Sequence, residues 1–112
     1  MTKLFLTTFD GNYTGPAIQA VLDERDRQDT KWGEQNHDLG IWGLVLGEEV
    51  GEWCEAILHW RAVSGRAENV EGLTGAASEE WGHVRHEAVQ VAAVAVAIIE
   101  YMDRHTAGRD AA

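Results

Sequence analysis

The chain is poor in cysteine and proline: among 112 residues there is one cysteine, Cys54, and one proline, Pro16. A lone thiol excludes an intrachain disulfide and a cysteine-rich zinc cluster, and it points to a reducing compartment, the cytoplasm. Long hydrophobic runs are missing too. The longest, Val91 to Ile99, falls far short of the roughly 20 residues that cross a bilayer, so it is expected to be a core helix, with no membrane partner. Leu4-Phe5-Leu6 is too short for the apolar part of a signal peptide and has no small-residue cleavage pattern, so it is expected to stay in the domain. Basic residues are scarce: 9 against 19 acidic ones, a formal charge of -10. That balance argues against a nucleic-acid polymer or an anionic membrane, both of which reward positive charge. An anionic ligand would need a cation between itself and the protein, and a divalent metal supplies one. No glycine-rich phosphate loop and no recognisable nucleophile triad is present.

What remains is 45% hydrophobic, enough for one domain, residues 1–112, with a thin core. A short arm, 1–15, is expected to precede a first helix from Pro16 to about Lys31, where proline suits the first turn. A loop from Trp32 to Gly40 leads to a second helix from about Ile41 to Val63, with Gly65 as its stop. Residues 64–77 read as a second loop. A third helix should run from Ser78 or His83 to His105 and fray over 106–112. Leu4 to Phe9 is the one stretch with strand character, and an extended arm fits it equally. The fold class is therefore all-α. Both long helices are apolar on more than one side, so the bundle is expected to be completed by oligomerisation, as a homodimer or homotetramer. Gly43, Gly47 and Gly51 recur every four residues, a pattern whose default explanation is close helix packing.

The second helix carries the chemistry. In Glu48-Glu49-Val50-Gly51-Glu52-Trp53-Cys54-Glu55, helical projection gathers Glu48, Glu52 and Glu55 on one side, with Glu49 at its edge. Ile41, Val45 and Ala56 share that sector, so these like charges do not lie on a purely solvated face. Half-buried carboxylates of one sign need a counter-charge, and a hard divalent cation bound by oxygens is one solution. An exposed acidic stripe is the plain alternative. On the third helix Glu87 shares a ridge with His83, Val91, Val94 and Ile98, with Gln90 beside it. An inward Glu87 must pair with a metal, with His83 one turn earlier, or with an arginine across the bundle. Two inward acidic groups on two helices favour the metal.

At these residues the chain resembles a known family. GEEVGEWCEAI (47–57) is similar to the E-E-x-x-E helix of the MazG-like, all-α nucleoside triphosphate pyrophosphohydrolases, and HEAVQVAAVAVAIIEYMD (86–103) to their second acidic helix. RDRQDTKWGEQNH (25–37) resembles the opening of phage-encoded members. The three segments cover most of residues 24 to 103, and their combination is more specific than any one alone. The resemblance implies Mg²⁺ or Mn²⁺ held by Glu49 and Glu52 on one helix and by Glu87 on the next. Gln90 stands where the family has aspartate; an amide oxygen still ligates a hard cation but lowers the charge of the site. Glu48 matches the glutamate that orients or deprotonates the attacking water. The implied reaction cuts between the α- and β-phosphates and releases a nucleoside monophosphate and pyrophosphate. The phage-like segment points to purine deoxynucleotides, dGTP or dATP, in a nucleotide-pool role, in host cytoplasm if the protein is phage-encoded.

Lys31, Trp32, Gln35, Asn36 and His37 offer a point charge, a stacking surface and several amide or imidazole groups, a mixture that suits a nucleotide. Packing is the plain role for Trp32 and a loop hydrogen bond for His37. Two other classes fit parts of the pattern. Glu80-x-x-His83 has the spacing of carboxylate-bridged di-metal bundles that act as oxidases or metal stores. A non-enzymatic acidic interaction protein would fit the net charge but not an inward Glu87.

Overall fold

The computed structural model describes residues 12–64 and 75–111. Among them are three helices and no strand: α1, Thr14–Trp32; α2, Leu39–Ser64; and α3, Ala76–Ala111. The chain is all-helical over this range. Leu4 to Phe9, most of the second loop and Gly65 lie outside the described residues.

Local chemistry sets the ends. Pro16 sits in the first turn of α1, where no intrahelical donor is lost. Gly33 ends α1 at φ 72°, and its amide donates to the Asp29 carbonyl at 2.8 Å. That left-handed geometry is cheap only without a Cβ. Asp38 starts α2: its Oδ1 accepts the Ile41 amide at 3.0 Å and its carbonyl accepts the Trp42 amide at 3.0 Å. This is an N-cap, and it places the start two residues ahead of the Ile41 expected from hydropathy. Gly75, at φ 54°, leads into α3, with the Glu79 carboxylate in the first turn complementing the helix dipole. At its far end α3 does not fray at His105 but continues through Ala111, over alanines and an arginine that favour helix.

The third helix is central. It packs against both α1 and α2, which do not pack on each other. The core is small: Trp42, Val94 and Ala97 are buried, with Val45, Leu46, Ile98 and Tyr101 packed around them. Small residues, Ala56 and Ala93, are the most enclosed and let the helices approach. No helix of the described residues is long and apolar enough to cross a membrane.

Polar groups seal the α1–α3 seam. The Arg25 guanidinium donates to Glu100 Oε1, to Gln28 Oε1 at 3.0 Å and to Asp29 Oδ1 at 3.0 Å. Glu24, also buried, accepts from Arg27 and Gln28. The α2 surface away from α3 is different. Leu44 and Leu58 are about two-thirds exposed or more, at 71% and 66%. A Cβ placed on Gly43, Gly47 or Gly51 would meet nothing within 4 Å. Helix packing among the described residues therefore does not explain this glycine repeat.

Candidate metal centre

One face of α2 meets α3 through carboxylates. Oxygen atoms of Glu49, Glu52 and Glu87 all lie within 4.8 Å of one another. Glu49 and Glu52 come from adjacent turns of α2, and Glu87 faces them from α3. Glu49 and Glu87 are half-buried and Glu52 is exposed. Glu49 Oε2 and Glu87 Oε2 are each fully enclosed without a hydrogen-bond partner. Buried polar atoms are nearly always satisfied, so a donor or cation between these two oxygens would serve both.

Electrostatics carry the same message. Burial holds the Glu49 carboxyl above its usual 4.5, and the charges of Glu52, Glu87, Glu48 and Glu24 push it further the same way. Glu24, by contrast, lies below the usual value because Arg27 donates to it, an effect larger than the opposing burial, with help from Gln90 and Gln28. Among the described residues the only cationic partner of Glu87 is His83, whose Nε2 lies 3.8 Å from Glu87 Oε1. That contact is an ion pair only when the imidazole carries a proton. A divalent cation fits this donor set: hard oxygen ligands of net negative charge and no lysine or arginine among them.

The helical projection placed Glu48, Glu52 and Glu55 in the apolar sector with Glu49 at its edge. In the structure Glu49 is the inward acid, while Glu48 and Glu55 are exposed. Glu48 remains next to the cluster, near enough for its charge to act on Glu49. Gln90 is buried, and its amide helps hold the Glu24 carboxyl of α1 below its usual value. Sequence reasoning missed Glu24, whose charge reaches Glu49. It lies in a run of charged residues, Asp23 to Asp29, where nothing marks one acid as buried. Glu80 is half-buried with an enclosed, unpartnered Oε2.

The loop residues divide. Lys31 and Trp32 are exposed at the end of α1, with the Lys31 ammonium 4.7 Å from the Trp32 ring centre. Asn36 Oδ1 and the Gln35 carbonyl each accept from Arg104 at 3.1 Å, which ties the loop to α3. His37 packs edge-on against Trp42, with ring centres 4.8 Å apart. Gln35 also lines a cavity of about 210 Å³ with Arg25, Trp42, Glu100 and Arg104. Two enclosed donors there lack partners, Trp42 Nε1 and Arg104 Nε; the latter lies 3.4 Å from Glu34 Oε1 but not in hydrogen-bonding geometry. Trp42 precedes Glu49 by two turns, about 10 Å along the axis, so the cavity and the carboxylates share one side of the bundle end to end.

No protein-family model, no curated protein and no solved structure matches the chain. The chemistry of the site stands on its own geometry.

Proposed function

We propose that the chain is a metal-dependent nucleoside triphosphate pyrophosphohydrolase of the MazG-like type, releasing a nucleoside monophosphate and pyrophosphate. The observation that carries this reading is the three-glutamate cluster with its two enclosed, unpartnered oxygens. Glu49, Glu52 and Glu87 would hold Mg²⁺ or Mn²⁺. Bound there, the cation would neutralise phosphate charge and lower the pKa of an attacking water. Glu48, exposed beside the cluster, is placed to take that water's proton and to release it to solvent. Gln90 is assigned a structural part, fixing Glu24, rather than a ligand's.

The base would enter the cavity between α1, α2 and α3. Its orphan donors, Trp42 Nε1 and Arg104 Nε, suit acceptor atoms of a heteroaromatic ring, and Gln35 can pair with a base edge. A purine deoxynucleotide, dGTP or dATP, is the proposed substrate, with Lys31 and Trp32 meeting the nucleotide from outside the cavity and Asn36 and His37 shaping the loop. A homodimer or homotetramer is proposed as the working form, because α2 leaves Leu44, Leu58 and an open glycine stripe uncovered.

The test is to incubate the protein with each nucleoside and deoxynucleoside triphosphate plus Mg²⁺ or Mn²⁺ and resolve the products. Monophosphate with pyrophosphate is the expected outcome, strongest for purine deoxynucleotides. Diphosphate with orthophosphate, or no hydrolysis of any nucleotide, would overturn the assignment.

A further inference from the structure

The cavity of about 210 Å³ between the three helices is lined by donors and carboxylates that do not satisfy one another. Trp42 is 2% exposed, and its enclosed indole N–H has no partner. Arg104 Nε is enclosed and unpartnered as well. Both groups can only donate. Beside them stands a carboxylate with accepting capacity to spare. Glu34 Oε1 lies 3.4 Å from Arg104 Nε, while Glu34 Oε2 takes a hydrogen bond from Asn36 at 2.9 Å. Asp29 and Glu100 line the cavity too, but each has an oxygen engaged by Arg25. A complementary ligand therefore brings acceptors for the two donors and N–H groups for Glu34.

We infer that this cavity selects guanine over adenine, with Glu34 as the residue that determines the choice. Guanine carries two neighbouring acceptors, N7 and O6, followed by two neighbouring donors, N1–H and the 2-amino group. The two protein donors suit the acceptors, and a carboxylate suits the pair of N–H groups. Arg104 Nε and Glu34 Oε1 stand side by side, as O6 and N1–H do on the base. Adenine has an amino group where guanine has O6 and a lone pair where guanine has N1–H. The same lining would set donor against donor and carboxylate against lone pair, and buried polar groups left unpaired are what make such discrimination strong. The inference rests on the reading of this cavity as the base subsite, and it narrows the purine to one.

Deoxyguanosine, deoxyadenosine and deoxyinosine are the probes, titrated into the full chain without metal. Calorimetry gives affinity, and the indole N–H signal of Trp42 in NMR, assigned with Trp42→Phe, reports the site itself. Deoxyguanosine should shift that signal and bind at least about 10-fold more tightly than deoxyadenosine. Deoxyinosine, which keeps O6 and N1–H but lacks the 2-amino group, should fall between them. Glu34→Gln should weaken deoxyguanosine by about 10-fold or more and erase the preference. The Glu34 side chain is 61% exposed, so circular dichroism should report an unchanged fold. Equal affinity for the two purines, a preference that survives Glu34→Gln, or a Trp42 signal that no nucleoside moves would overturn the inference. The probes carry no phosphate, so hydrolysis is judged separately. Guanine selection without release of pyrophosphate would uphold the base site and remove the hydrolase; hydrolysis with no choice of base would do the reverse.

Discussion

The two seams of α3 treat buried acids in opposite ways. Against α1, Glu24 accepts from Arg27 and Gln28, and Glu100 is paired with Arg25. Against α2, Glu49 and Glu87 keep enclosed oxygens with no hydrogen-bond partner among the described residues. Both arrangements remove carboxylates from water, but only the first supplies the hydrogen bonds that compensate. The first is a fastener; the second is a cluster of like charges with no cationic side chain among the described residues but the half-exposed His83.

Catalysis should show the largest contrast. Glu49→Ala, Glu52→Ala and Glu87→Ala should each reduce hydrolysis by on the order of 1000-fold, as expected when charge stabilisation at the transition state is lost. Their helical content should stay intact by circular dichroism. Wild-type turnover in any two of them would remove the distinction between the seams.

Stability should break the other way. Arg25→Ala strands Glu100, Asp29 and Gln28 in the α1–α3 seam and should cost about 2–3 kcal/mol in urea unfolding. This is below the range for a fully buried pair because the Glu100 side chain is 44% exposed. Glu49→Gln should instead stabilise the metal-free protein at neutral pH, since it removes one charge from a cluster of like charges.

The pH dependence sharpens the same point. A carboxyl whose folded pKa is raised binds its proton more tightly when folded, so its contribution favours folding at low pH. For Glu49 that contribution fades as pH climbs from the usual 4.5 through its raised value. Glu24 behaves inversely: its stabilisation is present above 4.5 and is lost as pH falls through its lowered value. Urea melts of wild type and Glu49→Gln across pH 3–8, without metal, should therefore converge at the acidic end and separate upward. Metal affinity should rise with pH over the Glu49 window.

The smallest effect is expected at Gln90. An aspartate there would stand beside Glu24 in place of an amide donor, so Gln90→Asp should cost about 1 kcal/mol and change metal affinity little. A clear gain in affinity would bring that side chain back among the ligands.

Much of this contrast was legible from residue spacing, and the illegible part has a physical cause. Helix spans follow from periodicity and from Pro16 and Gly33, so the three-helix layout could be read directly. The start of α2 depended on one Asp38 carboxylate rather than on hydropathy. Projection found the acidic face but turned it by roughly one residue, because Glu48 and Glu49 differ by 100° and the direction of α3 decides which points inward. The α1–α3 seam was out of reach: Arg25 and Glu100 are 75 residues apart, and no local pattern pairs them. Lys31 and Trp32 looked suited to a ligand by chemistry alone, and the structure places them in solvent.

The backbones of α1 and α2 each pack on α3 and not on each other, so α3 carries both seams. Glu87 and Gln90 are three residues apart, separated by about 60° around the axis, one engaged with α2 and the other with α1. A roll of α3 that moved Glu87 would therefore move Gln90 as well. A cation that shifted Glu87 would in that case also disturb the surroundings of Glu24, linking the two seams. Hydrogen exchange in α1 would respond to a cation bound between α2 and α3, although α1 supplies none of the three carboxylates.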